Sequence, residues 1–304
     1  MPRSSTNRAA TVSLTVVALI AFASNSVLCR LGLGESAIDP ASYTAARLIT
    51  GAITLWIIAV FLRDKSSASA GGSWISAATL FIYAVTFSFA YISLSAGTGA
   101  LILFAAVQIT MIAVGLYTGE RPEISEWLGL FIAITGLIYL VSPGMTAPST
   151  VGSVLMATAG IAWGIYSLRG RAASDPIGAT ADNFLRTVPL AVAVVLLWLP
   201  ALTITPIGFL WAALSGSITS GIGYVIWYAA LRGLTATRAA TVQLAVPVLA
   251  GLGGVVVLSE AISLRLVISA VVILGGVGLA VSHRKAASER HKPLAPVNPT
   301  SIRE

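Results

Sequence analysis

The chain has one cysteine, Cys29, and two histidines, His283 and His291, both in the polar C-terminal stretch. A single cysteine excludes an intrachain disulfide and a thiolate metal cluster. With both histidines outside the apolar body, neither a metal site nor imidazole acid–base chemistry is expected there. No GxxxxGK[ST] loop or other nucleotide fingerprint occurs, so nothing points to ATP as the energy source. Charge is also scarce: 10% of the residues are charged, against about 25% in ordinary soluble proteins. No Asp, Glu, Lys or Arg falls at the centre of an apolar run. An enzyme is not expected from this inventory, nor is any cofactor.

Apolar residues are what the chain has in abundance, at 57% of 304 residues. A water-soluble fold of this size needs a polar shell that so few polar residues cannot supply, so the solvent is lipid. The net charge of +7 does not indicate nucleic acid, because the basic residues sit at the ends of the apolar runs, where they act as topology signals. The expected partners are the lipid bilayer and a small-molecule solute. The sequence is silent on oligomeric state.

A bilayer core of about 30 Å takes about 20 apolar residues per helix. Runs of that kind lie near 11–30, 42–62, 74–95, 98–118 and 125–142, then near 151–170, 180–200, 207–231, 237–258 and 264–282. The first is too long for a signal peptide's apolar region and reads as a retained membrane helix. None alternates as a β-barrel strand would. The breaks carry turn chemistry: Asp39-Pro40, Gly71-Gly72, Ser142-Pro143-Gly144, Asp175-Pro176 and Thr205-Pro206. The boundary between the third and fourth spans is the weakest, marked only by Ser95 to Gly99.

Placing the N-terminus in the cytoplasm puts fifteen of the 18 Lys and Arg residues on the inner side. Arg30, Arg47 and Arg265 alone fall toward the outer side. That asymmetry predicts cytoplasmic termini. The charged punctuation also repeats: Arg30 recurs as Arg169 and Arg47 as Arg186 at a spacing of 139, while Glu120 recurs as Glu260, Gly136 as Gly276 and Ser142 as Ser282 at 140. The fold expected is all-α and membrane-integral, with ten transmembrane helices in two inverted five-helix repeats. Residues 1–10 form the cytoplasmic N-terminus, 11–142 the first repeat, 151–282 the second and 283–304 a disordered basic tail. Because five spans end opposite to where they began, the second copy is inverted, an architecture that recurs in secondary transporters. The competing reading of the duplication is a scaffold without transport.

Particular segments carry a family likeness. Ser24-Asn25-Ser26-Val27-Leu28-Cys29-Arg30 closes the first span and Ala45-Ala46-Arg47-Leu48 lies in the second. Their partners are Trp163-Gly164-Ile165-Tyr166-Ser167-Leu168-Arg169 and Phe184-Leu185-Arg186. The fourth and ninth spans end in Gly119-Glu120 and Ser259-Glu260, and Val246-Pro247-Val248 lies in the ninth. Over residues 11–282 the chain resembles the EamA-type exporters of the drug/metabolite transporter superfamily, and within it the bacterial aromatic amino-acid exporters. Ala106-Val107-Gln108 departs from the pattern by lacking the proline. The resemblance implies a central cavity surrounded by spans three, four, eight and nine, with one and six, in the bacterial inner membrane.

The candidate solute ligands are aromatics and amides inside those spans. Tyr83, Phe87 and Tyr91 recur every four residues on one helix face, and Tyr224, Trp227 and Tyr228 share another. Tyr83 and Trp163, near span centres, read as cavity lining; Tyr91 and Tyr228 read equally as lining or as interfacial anchors. Asn25, Gln108 and Gln243 are costly in hydrocarbon, so they face the bundle interior as helix ties or as lining. Arg47 and Arg186 read as structural clamps near an interface, Asp182 standing one turn from Arg186 as a possible pair. Pro247 and Pro189 remove backbone donors and permit a bend, Pro247 being the candidate hinge. Glycines at 251, 253, 254, 275, 276 and 278 permit close helix approach.

An uncharged cavity of rings and amides suits neutral or zwitterionic amphipathic solutes, so the expected function is export of amino acids, aromatic and other neutral ones, by alternating access. The alternative is a carrier of phosphorylated or nucleotide-linked metabolites. The absence of an intramembrane Asp, Glu or His relay favours facilitated movement over proton coupling.

Overall fold

The computed structural model describes residues 8–34, 36–62, 71–117, 124–144, 147–171, 173, 175–231 and 242–290. Among them there is no sheet, only one isolated bridge between Ile38 and Ile204. The first half contains α1 (Arg8–Gly34), α2 (Pro40–Leu62), α3 (Trp74–Ala90), α4 (Ala96–Tyr117) and α5 (Ile124–Val141). The second contains α6 (Thr150–Arg171), α7 (Pro176–Trp198), α8 (Pro206–Leu214), a π-helical stretch Ser215–Ile222, α9 (Gly223–Leu231), α10 (Ala245–Leu258) and α11 (Leu264–Arg290).

Short polar residues start these helices by satisfying the free N–H groups of the first turn. Asp39 Oδ1 accepts from the Ala41 and Ser42 amides, at 3.0 and 2.9 Å. Ser73, Asp175 and Thr205 cap α3, α7 and α8 in the same way. Pro176 and Pro206 follow two of these caps, where a missing N–H costs nothing. The loops before α2 and α8 are joined to each other: the Asp39 amide donates to Thr203 O (2.8 Å) and the Thr203 amide to Asp39 Oδ2 (3.0 Å).

Six helical stretches are long and apolar enough to cross a membrane: Ala9–Gly34, Pro40–Phe61, Ala96–Gly115, Thr150–Gly170, Pro176–Ala201 and Pro206–Ala230. Four shorter apolar helices, Trp74–Ala90, Trp127–Val141, Ala245–Leu258 and Leu264–Gly276, fall within the other four runs read from the sequence. Large apolar side chains cover the outside of the bundle, including Phe61 (82% exposed), Leu197 (82%) and Val256 (80%). Soluble monomers do not carry such a surface. Together with the apolar helices it describes a multi-pass, membrane-embedded protein.

The two halves interlock. α5 packs on α11, α2 on α7, α4 on α10, α3 and α4 on α6, and α1 on α9 and α10. The principal partner of each of these helices belongs to the other half, so neither half has a core of its own. Gly136 and Gly276, 140 residues apart, occupy equivalent places in the α5–α11 contact. A Cβ on Gly136 would stand 2.9 Å from Ile273, and one on Gly276 would stand 2.6 Å from the Ala133 backbone. Gly275 and Gly278 face open space, so they do not serve the close approach expected of them.

Three further differences from the sequence reading concern helix ends. α1 begins at Arg8 and α11 continues to Arg290, eight residues into the stretch read as a disordered tail; 291–304 lie outside the described residues. Pro247 lies in the first turn of α10, one turn after the helical residues Val242 and Gln243. The hydrogen-bonded ladder is interrupted at Leu244, whose angles stay right-handed helical (φ −64°, ψ −16°), because the proline at 247 supplies no N–H to the Gln243 carbonyl four residues back. Glu120, Arg63, Lys65, Arg121, Arg232 and Arg238 also lie outside the described residues.

Candidate functional site

Where α1, α3, α4, α6 and the π–α9 segment converge, a small cavity is lined by uncharged side chains. Phe22, Asn25 and Ser26 come from α1, Tyr83 and Phe87 from α3, Leu103 and Phe104 from α4; Trp163, Thr219 and Tyr224 complete it with Ala100. The cavity's volume is about 20 Å³, room for about one water. Anything larger than about a water molecule enters only if the rings move apart.

Trp163 is the hub of the aromatic wall. Its ring centroid lies 4.9 Å from Tyr83, 5.2 Å from Tyr224 and 5.6 Å from Tyr166, all at tilted angles. Tyr224 continues edge-on to Phe22 at 5.9 Å. Tilted and edge-on pairs at these separations each add about 0.5–1.5 kcal/mol beyond their burial. The rings thus form one continuous apolar wall.

The polar side of the cavity centres on Asn25. Its Nδ2 donates to the Tyr83 hydroxyl at 3.4 Å, and its Oδ1 accepts from Thr219 Oγ1 at 3.2 Å and from Ser215 Oγ. These hydroxyls come from the π-helical stretch Ser215–Ile222, whose sequence is Ser-Gly-Ser-Ile-Thr-Ser-Gly-Ile. A π turn is uncommon and concentrates at functional sites. Here it presents Ser215, Thr219 and Ser220 toward α1 and α2.

Ser220 accepts from Arg47, whose surroundings were not part of the sequence reading. Arg47 is 2% exposed, enclosed within the core of the bundle. Its Nε donates to Ser220 Oγ at 3.2 Å and its Nη2 to the Tyr83 hydroxyl at 3.0 Å. The guanidinium lies 5.1 Å from the Tyr83 ring centre and 5.0 Å from that of Phe87. The lining is neutral, as expected, but a cation stands directly behind it. Arg186, the counterpart in the repeat, is half-buried over the Trp74 ring at 5.5 Å. Asp182 does not pair with Arg186; its Oδ2 accepts from the Gly72 amide at 3.1 Å.

The other candidates lie outside the lining. Tyr91 is fully buried but donates to the Ala96 carbonyl at 3.3 Å, closing the α3–α4 turn. Trp227 packs on Phe22 at 5.7 Å, in a separate apolar cluster with Ala18 and Ala230. Tyr228 is half-buried near Gly170. Gln108 is buried in α4 one turn beyond Phe104. Gln243 is half-buried and has a partner of its own. The helix of the ninth span contributes no lining residue among those described, contrary to the expectation from the resemblance. Its small residues are used in packing instead, Gly251 standing against Gly97 of α4. Phe22, Ser26, Phe104, Ser215, Thr219 and Ser220 were not singled out by sequence. The Ser/Thr/Gly run inside an otherwise apolar span was the available signal.

Both ends of the cavity are tied. Beyond Tyr91, Arg30 Nε meets Glu260 Oε1 at 3.1 Å. At the other end Arg169 donates from Nε to Ser76 Oγ (2.9 Å) and from Nη2 to Ser73 Oγ (3.1 Å), while the Ser73 amide donates to Asn183 Oδ1 (2.9 Å).

The EamA-like transporter family model matches the chain twice, over residues 9–142 and 150–282. The chain belongs to the EamA-like transporter family. Its two matched units contain α1–α5 and α6–α11 in turn. This EamA-like transporter is 45% identical over 280 residues to an uncharacterized protein of Pseudomonas aeruginosa, covering 92% of this chain and 97% of that one. It is also similar to an uncharacterized transporter of Archaeoglobus fulgidus (26% over 212 residues, 67% and 74% covered). The uncharacterized transporter YoaV of Bacillus subtilis is 22% identical over 265 residues, with 83% and 89% covered. A crystal structure of a protein sharing 20% identity superposes with a TM-score of 0.63 over 89% of this chain and 99% of that one, a likeness of fold.

Proposed function

We propose that this EamA-like transporter exports amino acids, aromatic and other neutral ones, by alternating access across the bacterial inner membrane. The observation that carries the reading is the neutral cavity built from helices of both repeats, with Trp163, Tyr83, Tyr224 and Phe22 as its apolar wall and Asn25 among hydroxyls as its polar side. Rings accommodate an apolar side chain, and the amide and hydroxyls accommodate the backbone groups of an amino acid.

In this reading the ten apolar runs are ten spans, the two matched units are antiparallel copies, and both termini are cytoplasmic. The interlocked packing supports it, since α3 on α6 corresponds to α9 on α1 under exchange of the halves. Exchanging the conformations of two inverted repeats closes one end of the cavity as it opens the other. The Arg30–Glu260 tie and the Arg169–Ser73–Ser76 tie are the contacts that would alternate. Movement is down the concentration gradient, for want of an intramembrane acid relay.

The test is uptake into proteoliposomes across the twenty radiolabelled amino acids, with sugar phosphates and nucleotide sugars as competitors and no imposed ion gradient. Saturable uptake of phenylalanine, tryptophan or other neutral amino acids is expected. Transport of sugar phosphates with no amino-acid flux would overturn the reading.

A further inference from the structure

Arg47 has no acidic partner among the described residues, where the ion pair present is Arg30–Glu260. Two of its guanidinium nitrogens are held by neutral hydroxyls, Ser220 at Nε and Tyr83 at Nη2. The third, Nη1, is buried without a hydrogen-bond partner among the described residues. The ring faces of Tyr83 and Phe87 soften the isolation of the charge but do not neutralise it. A buried cation that served only as a clamp would be expected to have its counterion beside it, as Arg30 has.

The unfilled edge has a definite shape. Nη1 and Nη2 form the fork that receives the two oxygens of a carboxylate in parallel. Nη1 has no hydrogen-bond partner among the described residues and Nη2 holds the Tyr83 hydroxyl, and Tyr83 is itself a wall of the cavity. One positive charge balances one carboxylate. A phosphate dianion would leave the site negative, with no second described cation beside it.

We propose that Arg47 is the solute's carboxylate site: on binding, the Tyr83 hydroxyl yields Nη2, and the carboxylate bridges Nη1 and Nη2. The apolar part of the solute then lies against Trp163, Tyr224, Phe22 and Phe104. The assignment rests on the cavity being the solute site. It narrows the substrate class to monocarboxylates with an apolar body and excludes amines and amides of the same shape.

The experiment is scintillation-proximity binding of tritiated phenylalanine to the full-length protein in detergent, displaced by phenylalanine, 3-phenylpropanoate, phenylalaninamide or phenethylamine. In the wild type the two carboxylates displace at concentrations at least about tenfold lower than the two compounds lacking one. Arg47→Gln shrinks that preference below about twofold, Arg47→Lys keeps it at weaker affinity, and Tyr83→Phe keeps or widens it. Equal displacement by the amide in the wild type, or an undiminished preference in Arg47→Gln, overturns the assignment. If Arg47→Gln is not monodisperse, Tyr83→Phe decides, and loss of the preference there overturns it. If phenylalanine does not bind the wild type at all, the amino-acid reading fails, and labelled 3-phenylpropanoate replaces it as the probe. Binding of that probe, lost in Arg47→Gln, upholds the carboxylate site alone; its failure to bind overturns both.

Discussion

Arg30 Nε and Glu260 Oε1 stand 3.1 Å apart although 230 residues separate them in the chain. Each partner also holds a backbone group. Arg30 Nη1 donates to the Tyr91 carbonyl at 2.8 Å, and Glu260 Oε2 accepts from the Ala96 amide at 2.8 Å. One ion pair thus links the end of α1, the α3–α4 turn and the loop before α11. Ser259 adopts a left-handed conformation (φ 54°), and the Glu260 amide donates to the Gly254 carbonyl (3.1 Å), which turns the carboxylate inward.

If this tie closes one end of the cavity, Glu260→Gln weakens the closure. The side chains are 23% and 14% exposed, so the loss is modest, about 1 kcal/mol, or about fivefold in the open population. Cys29, buried beside Arg30 and the sole cysteine, is a built-in reporter. Its maleimide labelling is expected to be slow in the wild type and about fivefold faster in Glu260→Gln. Equal rates would remove the tie as a gate.

Helix contact, not glycine content, decides which glycines matter. A Cβ at Gly160 of α6 would stand 2.5 Å from the Leu103 carbonyl and 2.6 Å from Ala106 of α4. Gly160→Ala is expected to destabilise by about 1–3 kcal/mol. Gly275→Ala meets nothing within 4 Å and gains up to about 1 kcal/mol of helix propensity. Thermal melts followed by size-exclusion chromatography of the two variants check this; a larger loss for Gly275→Ala would contradict the packing described.

The apolar runs and the duplicated punctuation were legible because lipid imposes long helices and the repeats carry charges at matching places. Tyr83, Trp163, Asn25 and Tyr224 line one cavity because polar and aromatic groups in hydrocarbon turn inward. Periodicity placed Phe87 and Tyr91 on the Tyr83 face, and their rings do follow in sequence, 5.4 and 4.7 Å from ring to ring. It could not tell that Tyr91 is consumed by the Ala96 carbonyl. The surroundings of Arg47 were illegible for a related reason. Its place two turns from the start of α2 is read along the chain, but not that α2 packs on the π stretch and encloses the side chain. The π stretch itself is invisible to hydropathy, which averages Ser and Gly with their apolar neighbours.

Pro247 marks the break at Leu244. With alanine there, the carbonyl four residues back regains a possible partner and the helix can run on. Pro247→Ala is expected to slow transport by several-fold or more, about 1 kcal/mol on the rate-limiting barrier, measured as initial flux in proteoliposomes. An unaltered rate would dismiss the hinge.

The central claim is that solute occupies the cavity between the two repeats, and counterflow of tritiated phenylalanine in proteoliposomes tests it most directly. Trp163→Ala removes three ring contacts, and Asn25→Ala removes the hub of the polar side. Each is expected to lower apparent affinity by about tenfold or more, with Trp163→Phe close to wild type, since a ring stacked on the solute is worth about 0.5–1.5 kcal/mol beyond its burial and a buried amide's hydrogen bonds about 1–3 kcal/mol when lost. Counterflow at wild-type affinity in both alanine variants would contradict the account.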